Sequence, residues 1–344
     1  MTIWYNIYMK TKILITGAGG YIGSVSTYVF LQNGYEVVAV DNFTTGNRKP
    51  LEVLQEKFGK EQFRFYEADL HDSIKEVLEK EKDIKAVVHY AASCLVDESM
   101  KNPHKYFYNN VGGSDNLLNE LVAHGITNIV FSSTCAVYGE AKQVPIDETH
   151  PMNPNNPYGE SKRDVERIID WYHQLKGVNY IILRYFNVCG ASDDGLIGDS
   201  KKPSMLLMQN AVRGAMGIEP FYLTCAKMDT PDGTPIRDYI NVVDLNEAHL
   251  AAVEHLLRGG SSEVINLGSG TGNSVLEIVN EVQKVTGKPF DLKTTEARKG
   301  EATKMIASIE KAKRVLNWQL KRNLEQSVKA LVAWYTAHPR GWES

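Results

Sequence analysis

The chain reads Thr16-Gly17-Ala18-Gly19-Gly20-Tyr21-Ile22-Gly23 directly after its first apolar run, residues 13–16. Glycines spaced in this way between a strand and a helix allow a tight turn, close approach of the main chain to a pyrophosphate, and helix–strand contact. The helix N-terminus adds N–H donors and the positive end of the helix dipole. The stretch therefore predicts a dinucleotide-binding βαβ unit.

A carboxylate follows this loop at the end of the second apolar run, where Asp41 closes residues 36–41. A carboxylate about 20 residues beyond the glycines accepts hydrogen bonds from adenosine ribose hydroxyls and repels a 2′-phosphate. We therefore expect NAD rather than NADP as the cofactor. The alternative is a glycine-rich turn beside a solvated aspartate.

The first half of the chain alternates short β-branched runs with helix-period segments, as in a parallel sheet covered by helices on both faces. The fold class we predict is α/β, a doubly wound parallel Rossmann sheet with a smaller mixed α/β substrate-binding lobe. The predicted strands are 13–16, 36–41, 63–67, 86–90, 129–132 and 180–184, and one predicted helix is 115–124, stopped by Gly125.

A change in composition marks a second lobe after about residue 189, where Gly, Asp, Ser and Pro become frequent. We predict an NAD-binding domain at 9–188 and a smaller ligand-binding lobe at 189–344, with segments such as 236–257 packing back on the first domain. Residues 1–8 are expected to be an upstream-start extension. The helices predicted in the second lobe are 203–213, 244–257, 274–286, 309–316 and 324–338.

Composition excludes several classes of protein. The 344 residues include 38 basic and 42 acidic side chains, a net charge of −4, with no basic stripe of the kind that binds nucleic acid. The apolar runs are far shorter than the roughly 20 residues that cross a bilayer. Four cysteines form no CxxC pair and the histidines lack ligand spacing, so we expect no metal site and a reducing, cytoplasmic location.

A second chemical pattern is a phenol and an ammonium four residues apart, Tyr158 and Lys162, on one face of a helix that Pro157 would start. A tyrosine with its usual pKa near 10 is a poor base, but a nearby cation favours the phenolate. Upstream, the strand 129–132 leads into Thr134, whose hydroxyl would share the moving proton. Taken alone, a tyrosine and a lysine at this spacing are also typical of an exposed helix turn with no catalytic role.

With the glycine loop, the strand-end hydroxyls and this tyrosine–lysine pair in order, the chain resembles the extended short-chain dehydrogenase/reductase family, and within it the nucleotide-sugar epimerases. The matching segments extend over almost the whole chain. They are Gly20-Tyr21-Ile22-Gly23, Asp41-Asn42, Asp69-Leu70, Asn109-Asn110-Val111, Ser132-Ser133-Thr134, Tyr158 with Lys162, Arg184-Tyr185-Phe186-Asn187, Arg237-Asp238-Tyr239 and Leu316-Asn317-Trp318.

The resemblance implies a tightly held NAD and interconversion of UDP-glucose and UDP-galactose through a transient 4-keto sugar, with no net redox change. Tyr158, Lys162 and Thr134 would be catalytic. The cofactor positions implied, besides these three, are Gly17, Gly20, Tyr21, Ile22, Gly23, Asp41, Asn42, Asp69, Leu70, Tyr90, Ala91, Ala92, Cys94, Asn110 and Phe186. The substrate positions, besides Thr134 and Tyr158, are Asn187, Ser204, Arg237, Arg298, Glu301 and Met305.

The resemblance also implies a homodimer formed through helices at 115–124 and 161–176. Met305 stands where a bulky aromatic gate is associated with enzymes restricted to hexoses without an N-acetyl group. UDP-N-acetylglucosamine or a UDP-pentose therefore stays open as the substrate. Cys94 replaces a lysine that often contacts the cofactor, and Thr224-Cys225 replaces a Phe-Gly pair that usually borders the uracil.

Two other functions are disfavoured. Nucleotide-sugar dehydratases carry an Asp-Glu pair after the strand-end threonine, whereas here Cys135-Ala136 follows Thr134. A non-catalytic NAD-binding protein would not need a hydroxyl, a phenol and an ammonium together.

Three local alternatives also arise. An ion pair with Asp238 or another carboxylate is the alternative for Arg237. The glycine run 268–272 is expected to end a strand before a helix rather than to hold a second phosphate, and Cys94 and Cys135 are expected to be buried.

Overall fold

The computed structural model describes residues 11–201, 204–223, 227–289, 293–294 and 302–342. Residues 1–8, 224–225, 298 and 301, on which some expectations fall, lie outside it. The first part of the chain alternates strands and helices. In order these are β1 (Lys12–Thr16), α1 (Tyr21–Gln32), β2 (Glu36–Asp41), α2 (Lys49–Phe58), β3 (Phe63–Glu67), α3 (Lys75–Lys80), β4 (Ile84–His89), α4 (Val96–Lys101), α5 (Pro103–Tyr106), a π-helix (Phe107–Gly112), α6 (Gly113–Ala123) and β5 (Asn128–Thr134).

The later elements are a 3₁₀-helix (Cys135–Tyr138), α7 (Pro157–Lys176), β6 (Asn179–Tyr185), β7 (Asn187–Cys189), α8 (Leu207–Ala215), β8 (Tyr222–Leu223), β9 (Ile236–Arg237), β10 (Tyr239–Asn241), α9 (Val242–Leu257), β11 (Glu263–Leu267), β12 (Asn273–Ser274), α10 (Val275–Thr286), β13 (Lys293–Thr294), β14 (Lys304–Met305), α11 (Glu310–Leu316) and α12 (Leu324–Ala337). In the part of the chain that the structure describes, no helix is both long and apolar enough to cross a membrane.

The central sheet has seven strands in the order β11-β6-β5-β4-β1-β2-β3, and β1 pairs in parallel with both β2 and β4. The order 3-2-1-4-5-6 is that of a doubly wound dinucleotide-binding sheet, which confirms the predicted fold class. The order reverses between β1 and β4. The carboxyl ends of these two strands are where such sheets bind ligands, and the glycine loop follows β1 directly.

Burial explains why the strands were recognisable. In β2, five of the six residues are buried, and β1 and β4 are similarly apolar, as expected of strands covered on both faces. The predicted strands are all present, with ends displaced by one or two residues; β5, for example, continues to Thr134. Leu14, Val38, Val87 and Phe131 share one core with Leu117 and Leu121 of α6.

The contacts divide the chain into two compact units. One contains residues up to Gly139 with Pro151–Arg184 and Asn246–Ile265, and the other contains Glu140–His150, Tyr185–Leu245 and the residues from Asn266 onward. The second unit has its own core, in which α8, α10 and α12 bury Val212, Ile278 and Leu331. These units are defined by contacts and do not show which part of the chain binds which ligand, so the predicted NAD-binding and substrate-binding domains remain a prediction.

The helices predicted in the second half are present with shifted ends. The largest shift is in α8, which begins at Leu207 rather than at 203 and ends at Ala215. Ser204 is not helical because its hydroxyl is bonded to Asp199 and its main-chain oxygen accepts from the Asn210 amide. Gly214 is tolerated inside the helix, and the chain turns at Gly217, where φ is 72°.

Candidate active site

The glycine loop has the close contacts that its sequence predicts. Gly17 has a φ of 71°, and a Cβ there would lie 2.5 Å from the main-chain nitrogen of Ala91 after β4. A Cβ on Gly23 would lie 2.1 Å from the Gly17 oxygen, so α1 packs directly on the loop. By contrast, a Cβ on Gly20 would meet only the Gly17 oxygen, at 3.3 Å. Gly17 and Gly23 thus serve the fold, whereas the space beside Gly20 suits a phosphate at the helix N-terminus.

Asp41 lies at the carboxyl end of β2 and is 9% exposed. Its carboxylate accepts hydrogen bonds from the N–H groups of Gly19, at 2.8 Å, and Phe43, at 2.7 Å. Burial raises the pKa of this carboxyl, and the two N–H donors oppose the rise. A carboxylate fixed against the glycine loop is the acceptor expected for the hydroxyls of an adenosine ribose, so the loop and Asp41 together fit NAD.

Further predicted cofactor residues line the ends of neighbouring strands. The Asn42 amide donates to Asp69 at 2.8 Å, which also accepts the His71 N–H at 2.9 Å. These donors hold the pKa of Asp69 below its usual value against the desolvation that raises it. Leu70 anchors this turn, since its main-chain oxygen accepts from Asn116 at 2.6 Å.

After β4, the predicted segment 90–94 divides in two. Tyr90 is turned into the interior, where its hydroxyl lies 2.9 Å from Ser26 Oγ and 2.8 Å from Asn246 Oδ1. Ala91 and Ala92 are half-buried, and the Ala91 N–H contacts Thr16 Oγ1 at 3.5 Å. The side chains of Tyr21 and Phe186 are also buried, whereas Ile22 is half-buried.

The two cysteines beside this edge differ from expectation. Cys94 is exposed and Cys135 is half-buried, so the prediction that both are buried is wrong. Each follows the carboxyl end of a strand, β4 or β5, where the chain leaves the sheet. The prediction rested on the apolar character of a cysteine side chain, which does not show that this edge of the sheet is partly open to solvent.

Asn110 is buried in the π-helix that precedes α6. Its amide donates to the Ser93 oxygen at 3.0 Å and to Ser161 Oγ at 2.9 Å, and its oxygen accepts the Ser93 N–H at 2.7 Å. The residue therefore fixes the loop after β4 against α7. Single π-helical turns often occur at functional sites, where the extra residue redirects a side chain.

The tyrosine–lysine pair lies on α7, which begins at Pro157 as predicted. Asn156 caps the helix by accepting the Gly159 N–H at 2.8 Å. A Cβ on Gly159 would lie 2.6 Å from the Ala136 oxygen, so only glycine lets this turn approach the 3₁₀-helix so closely. Tyr158 is half-buried, with its ring edge-on to Tyr106 at 6.3 Å.

Lys162 is almost completely buried, at 3% exposed. Its Nζ donates to the Ser132 oxygen at 2.8 Å and lies 4.8 Å above the Phe131 ring. Burial lowers the pKa of this ammonium to about 8, while Cys94 and Glu166 oppose the change. Thr134 ends the same strand and is buried; its hydroxyl accepts the Ala136 N–H at 3.2 Å. The structure thus brings the three predicted catalytic residues to one end of β5 and the first turns of α7.

A buried ion pair lies next to the three predicted catalytic residues and was not predicted from the sequence. Glu166 binds Arg184 through contacts of 2.5 to 3.2 Å and accepts a hydrogen bond from Ser133, next to Thr134. Arg184 also donates to the Tyr138 hydroxyl at 3.0 Å. The signal was present, since Tyr158, Lys162 and Glu166 recur every four residues on one helix face.

His89 is a second omission. The imidazole ring is buried at the end of β4, with Nδ1 2.7 Å from Thr16 Oγ1 and Nε2 2.8 Å from Ser114 Oγ. Burial, and secondarily the charge of Lys162, lowers the pKa of His89 to about 3. The ring therefore connects β1, β4 and α6 as a neutral group. The spacing of histidines in a sequence can indicate metal ligands, but it gives no indication of a buried structural role such as this one.

The second unit contains the predicted substrate residues that the structure describes beyond Thr134 and Tyr158. The Phe186 N–H donates to Leu267 at 3.2 Å, and the Asn187 N–H donates to the Asp238 oxygen at 2.9 Å. Ser204 is buried, with its hydroxyl 3.3 Å from the carboxylate of the fully buried Asp199. Burial raises the pKa of Asp199.

Arg237 and Met305 are register partners in the parallel pair β9–β14. Arg237 is half-buried and its Nη1 donates to the Ile236 oxygen at 3.0 Å, while Met305 is buried. The hydrogen bonds described for the Asp238 carboxylate come from Ser269, Gly270 and Ala307, and the ion-pair alternative for Arg237 stays a prediction. The predicted substrate residues Arg298 and Glu301 lie outside the described residues.

In chemical terms, the first unit offers a dinucleotide cradle and, at the end of β5, a phenol one helical turn from a buried ammonium. A phenol stabilised as its anion by a nearby cation can take a proton from an alcohol. A dinucleotide that accepts hydride supports the oxidation of that alcohol. The arrangement is suited to reversible alcohol oxidation.

Comparisons with known proteins agree with this chemistry. The UDP-glucose 4-epimerase of Lacticaseibacillus casei is 41% identical over 334 residues, which cover 96% of this chain and 98% of that protein. A crystal structure of UDP-glucose 4-epimerase from Bifidobacterium longum, in complex with NAD+ and UDP, superposes with a TM-score of 0.90 at 33% identity, covering 96% of this chain and 100% of that one.

A third similar protein is the UDP-Glc/GlcNAc 4-epimerase of Campylobacter jejuni, with a TM-score of 0.81 and 37% identity over 95% of this chain and 99% of that chain. The model of one family, described as the NAD dependent epimerase/dehydratase family, matches residues 13–268. The match includes the glycine loop, Asp41 and the tyrosine–lysine pair. The chain therefore belongs to the NAD dependent epimerase/dehydratase family.

Proposed function

We propose that this protein is a UDP-glucose 4-epimerase, which interconverts UDP-glucose and UDP-galactose with a retained NAD. The observation that carries the proposal is the buried Lys162 ammonium, one helical turn after Tyr158 and hydrogen-bonded to the strand that ends in Thr134. The assignment is supported by similar proteins named UDP-glucose 4-epimerase, which match this chain over nearly its full length.

The cofactor would be held by the loop 17–23 and by Asp41. NAD, when bound, would supply a reversible hydride acceptor for the oxidation of the C4′ alcohol of the sugar and for the reduction of the transient 4-keto sugar on its opposite face. The α1 N-terminus favours the pyrophosphate, and the Asp41 carboxylate accepts from the ribose.

Tyr158 would take the proton of the 4′-hydroxyl and return it after the 4-keto sugar has rotated in the site. Lys162 favours the phenolate because it holds a positive charge in a buried setting, where charge interactions are stronger than in water. Thr134 would share the hydrogen bond between phenol and sugar oxygen. Ser132, Ser133 and Glu166 keep the ends of β5 and α7 together.

The nucleotide would be held in the second unit. Arg237, with Arg298, offers a fork of donors that matches diphosphate oxygens, and Asn187 and Glu301 supply polar contacts. Ser204 would meet the diphosphate in place of a larger polar side chain. A UDP group is anionic, and on a chain with a net charge of −4 it needs local cations.

A second substrate class is favoured by one observation. Met305, the register partner of Arg237, has a flexible side chain where a rigid aromatic ring would restrict the sugar. The similar Campylobacter jejuni protein is named for both UDP-Glc and GlcNAc. We therefore include UDP-N-acetylglucosamine 4-epimerisation as the second candidate activity.

We propose that two copies associate through α6 and α7. On α7, Trp171 and Leu175 are 58% and 70% exposed and lie one turn apart, which leaves an apolar strip open. The two helices are joined by the Tyr172 hydroxyl, 3.2 Å from Asp115. We also propose a reducing, cytoplasmic compartment, in which an exposed thiol such as that of Cys94 is kept reduced.

The test is to mix the purified protein with UDP-galactose and, separately, with UDP-N-acetylgalactosamine, and to follow the inversion at C4′ by NMR without added NAD. We expect conversion of UDP-galactose and a cofactor that is released when the protein is denatured. Absence of bound or bindable NAD, or no inversion of any UDP-sugar, would refute the proposal.

A further inference from the structure

Asp238 is a completely buried carboxylate in the second unit, directly after Arg237. Its Oδ1 accepts from the N–H and, at 2.7 Å, from the hydroxyl of Ser269. Its Oδ2 accepts from the N–H groups of Gly270 and Ala307, both at 3.0 Å. All four donors belong to segments far along the chain, so one side chain connects three separate parts of this unit.

The glycine run 268–272 is thereby explained. As expected, it lies between a strand, β11, and the helix α10. A Cβ on Gly268 would lie 2.4 Å from the Asp238 Oδ2 and 2.8 Å from the Ala307 Cβ, so the loop can approach the carboxylate only without a side chain there. Successive N–H groups in such a turn form an anion-binding concavity, and here the bound anion belongs to the protein itself.

The carboxylate is connected to predicted substrate residues on three sides. Arg237 precedes it in the chain and pairs in register with Met305. Ala307, which donates to Asp238, lies two residues after Met305. The main-chain oxygen of Asp238 accepts the Asn187 N–H at 2.9 Å. Asp238 therefore connects, through its side chain and its main chain, the segments that carry all three substrate residues.

We propose that Asp238 is a positioning residue for nucleotide-sugar binding: its buried carboxylate, held by the 268–270 loop and Ala307, fixes Arg237, Met305 and Asn187 in their binding arrangement. The inference rests on the proposed function, because it concerns the binding of a UDP-sugar. It assigns the residue no contact with the substrate. Asp238 acts on ground-state binding rather than on the proton transfer in the first unit.

The first test is Asp238→Asn. The amide has nearly the same size, but it lacks the charge and turns an NH₂ group toward donors that need an acceptor. Hydrogen bonds to a charged group are strong, so we expect the KM for UDP-galactose and the Kd for UDP to rise by at least about tenfold. The kcat should stay within about threefold, as for lost uniform binding, and NAD content should not change.

Two further variants make the test specific. Gly268→Ala keeps the carboxylate but forces the 2.4 Å contact, and should raise the same two constants. Asp194→Asn is the matched control: this exposed carboxylate in the same unit accepts from Ser192 Oγ at 2.8 Å and from the Leu196 N–H at 3.1 Å. The control should leave both constants at their parent values.

A measurement on the unaltered holoenzyme covers the case in which neither variant folds. Saturating UDP should slow amide hydrogen exchange at Ser269, Gly270 and Ala307 by at least about tenfold, because binding holds the residues that these amides support. Unchanged exchange at all three amides overturns the inference. So does a folded Asp238→Asn protein with parent KM and Kd. A parent protein that binds no UDP instead refutes the proposed function.

Discussion

Lys162 Nζ donates a hydrogen bond of 2.8 Å to the main-chain oxygen of Ser132, two residues before Thr134. The bond connects the helix that carries the phenol with the strand that carries the hydroxyl. Because the ammonium is buried at this contact, its charge interacts with neighbouring groups more strongly than it would in water. The position of the predicted proton acceptor therefore depends on a contact made one turn away from it.

Replacing Tyr158 by Phe should remove the proton acceptor without changing the cofactor cradle. We expect kcat to fall by at least about 10²-fold, the usual contribution of a general base, while bound NAD stays at the parent level. Initial rates with UDP-galactose and the absorbance of released NAD measure both quantities. Tyr172→Phe, on the same helix, should retain parent activity; an active Tyr158→Phe protein would exclude the assigned role.

The buried ammonium should limit activity at alkaline pH. The pKa of Lys162 is lowered to about 8, so the positive charge that favours the phenolate is lost as pH rises through that value. We expect kcat/KM to decline above pH about 8. In Lys162→Arg the cation stays charged, since arginine titrates above about 12, so the weaker activity should lack this decline. A parent profile that is flat to about pH 10 contradicts the prediction.

His89 should make the fold sensitive to acid. Its pKa is about 3 in the folded protein and about 6.5 when unfolded, so the unfolded chain binds the extra proton between these values. This stability is complete above the unfolded pKa and is lost as pH falls toward the folded pKa. Between pH 7 and pH 5 the loss should be about 2 kcal/mol, measured by urea unfolding at each pH.

Two histidine variants separate this contribution from other titrations. His89→Asn should be less stable at both pH values but should lose most of the His89 pH dependence. His104→Asn, at an exposed position, should behave as the parent. Equal pH slopes in His89→Asn and the parent would show that another group causes the acid sensitivity.

Met305→Tyr should narrow the range of sugars. A rigid ring leaves less room for a 2-substituent, so activity on UDP-N-acetylgalactosamine should fall by at least about tenfold relative to UDP-galactose. The ratio of the two rates, followed by NMR, is the measurement. Met305→Leu, which nearly conserves volume, should keep the parent ratio. If the tyrosine variant also keeps it, Met305 does not determine the sugar.

Leu175→Lys should weaken self-association. The substitution puts a charge into the apolar strip of Trp171 and Leu175, and we expect the dimer Kd to rise by at least about tenfold. Sedimentation velocity over a range of concentrations measures the change. Tyr222→Lys, at a similarly exposed position in the second unit, should not alter it. A parent protein that is monomeric at all concentrations would exclude the dimer.

The parallel sheet was predictable because its strands are local apolar and β-branched runs with turn signals between them, and strands such as β1, β2 and β4 are almost wholly buried. The dinucleotide cradle was predictable for a similar reason. Gly17 and Gly23 lie in the loop and first helix turn after β1, and Asp41 ends β2, so all three positions can be read from a short stretch of sequence. Helix α7 could be located from Pro157, and its spacing puts Tyr158 and Lys162 on one face. In each case the information lies within about one βαβ unit.

The remaining features depend on residues that meet only in the folded chain. His89 binds Thr16 and Ser114, and Asp238 is held by loops 31 and 69 residues away along the chain. No local period encodes such contacts. The exposure of Cys94 likewise reflects how the chain leaves β4, not the character of the thiol.

The ion pair between Glu166 and Arg184 also constrains how this sequence can change. Both side chains are 5% exposed, so replacing one partner alone leaves a lone charge in the interior, at a cost of about 3 to 5 kcal/mol. That cost is comparable to the whole stability of many domains. Divergent descendants are therefore expected to exchange the two residues together, and a lineage that alters only one must first acquire a stabilising substitution elsewhere.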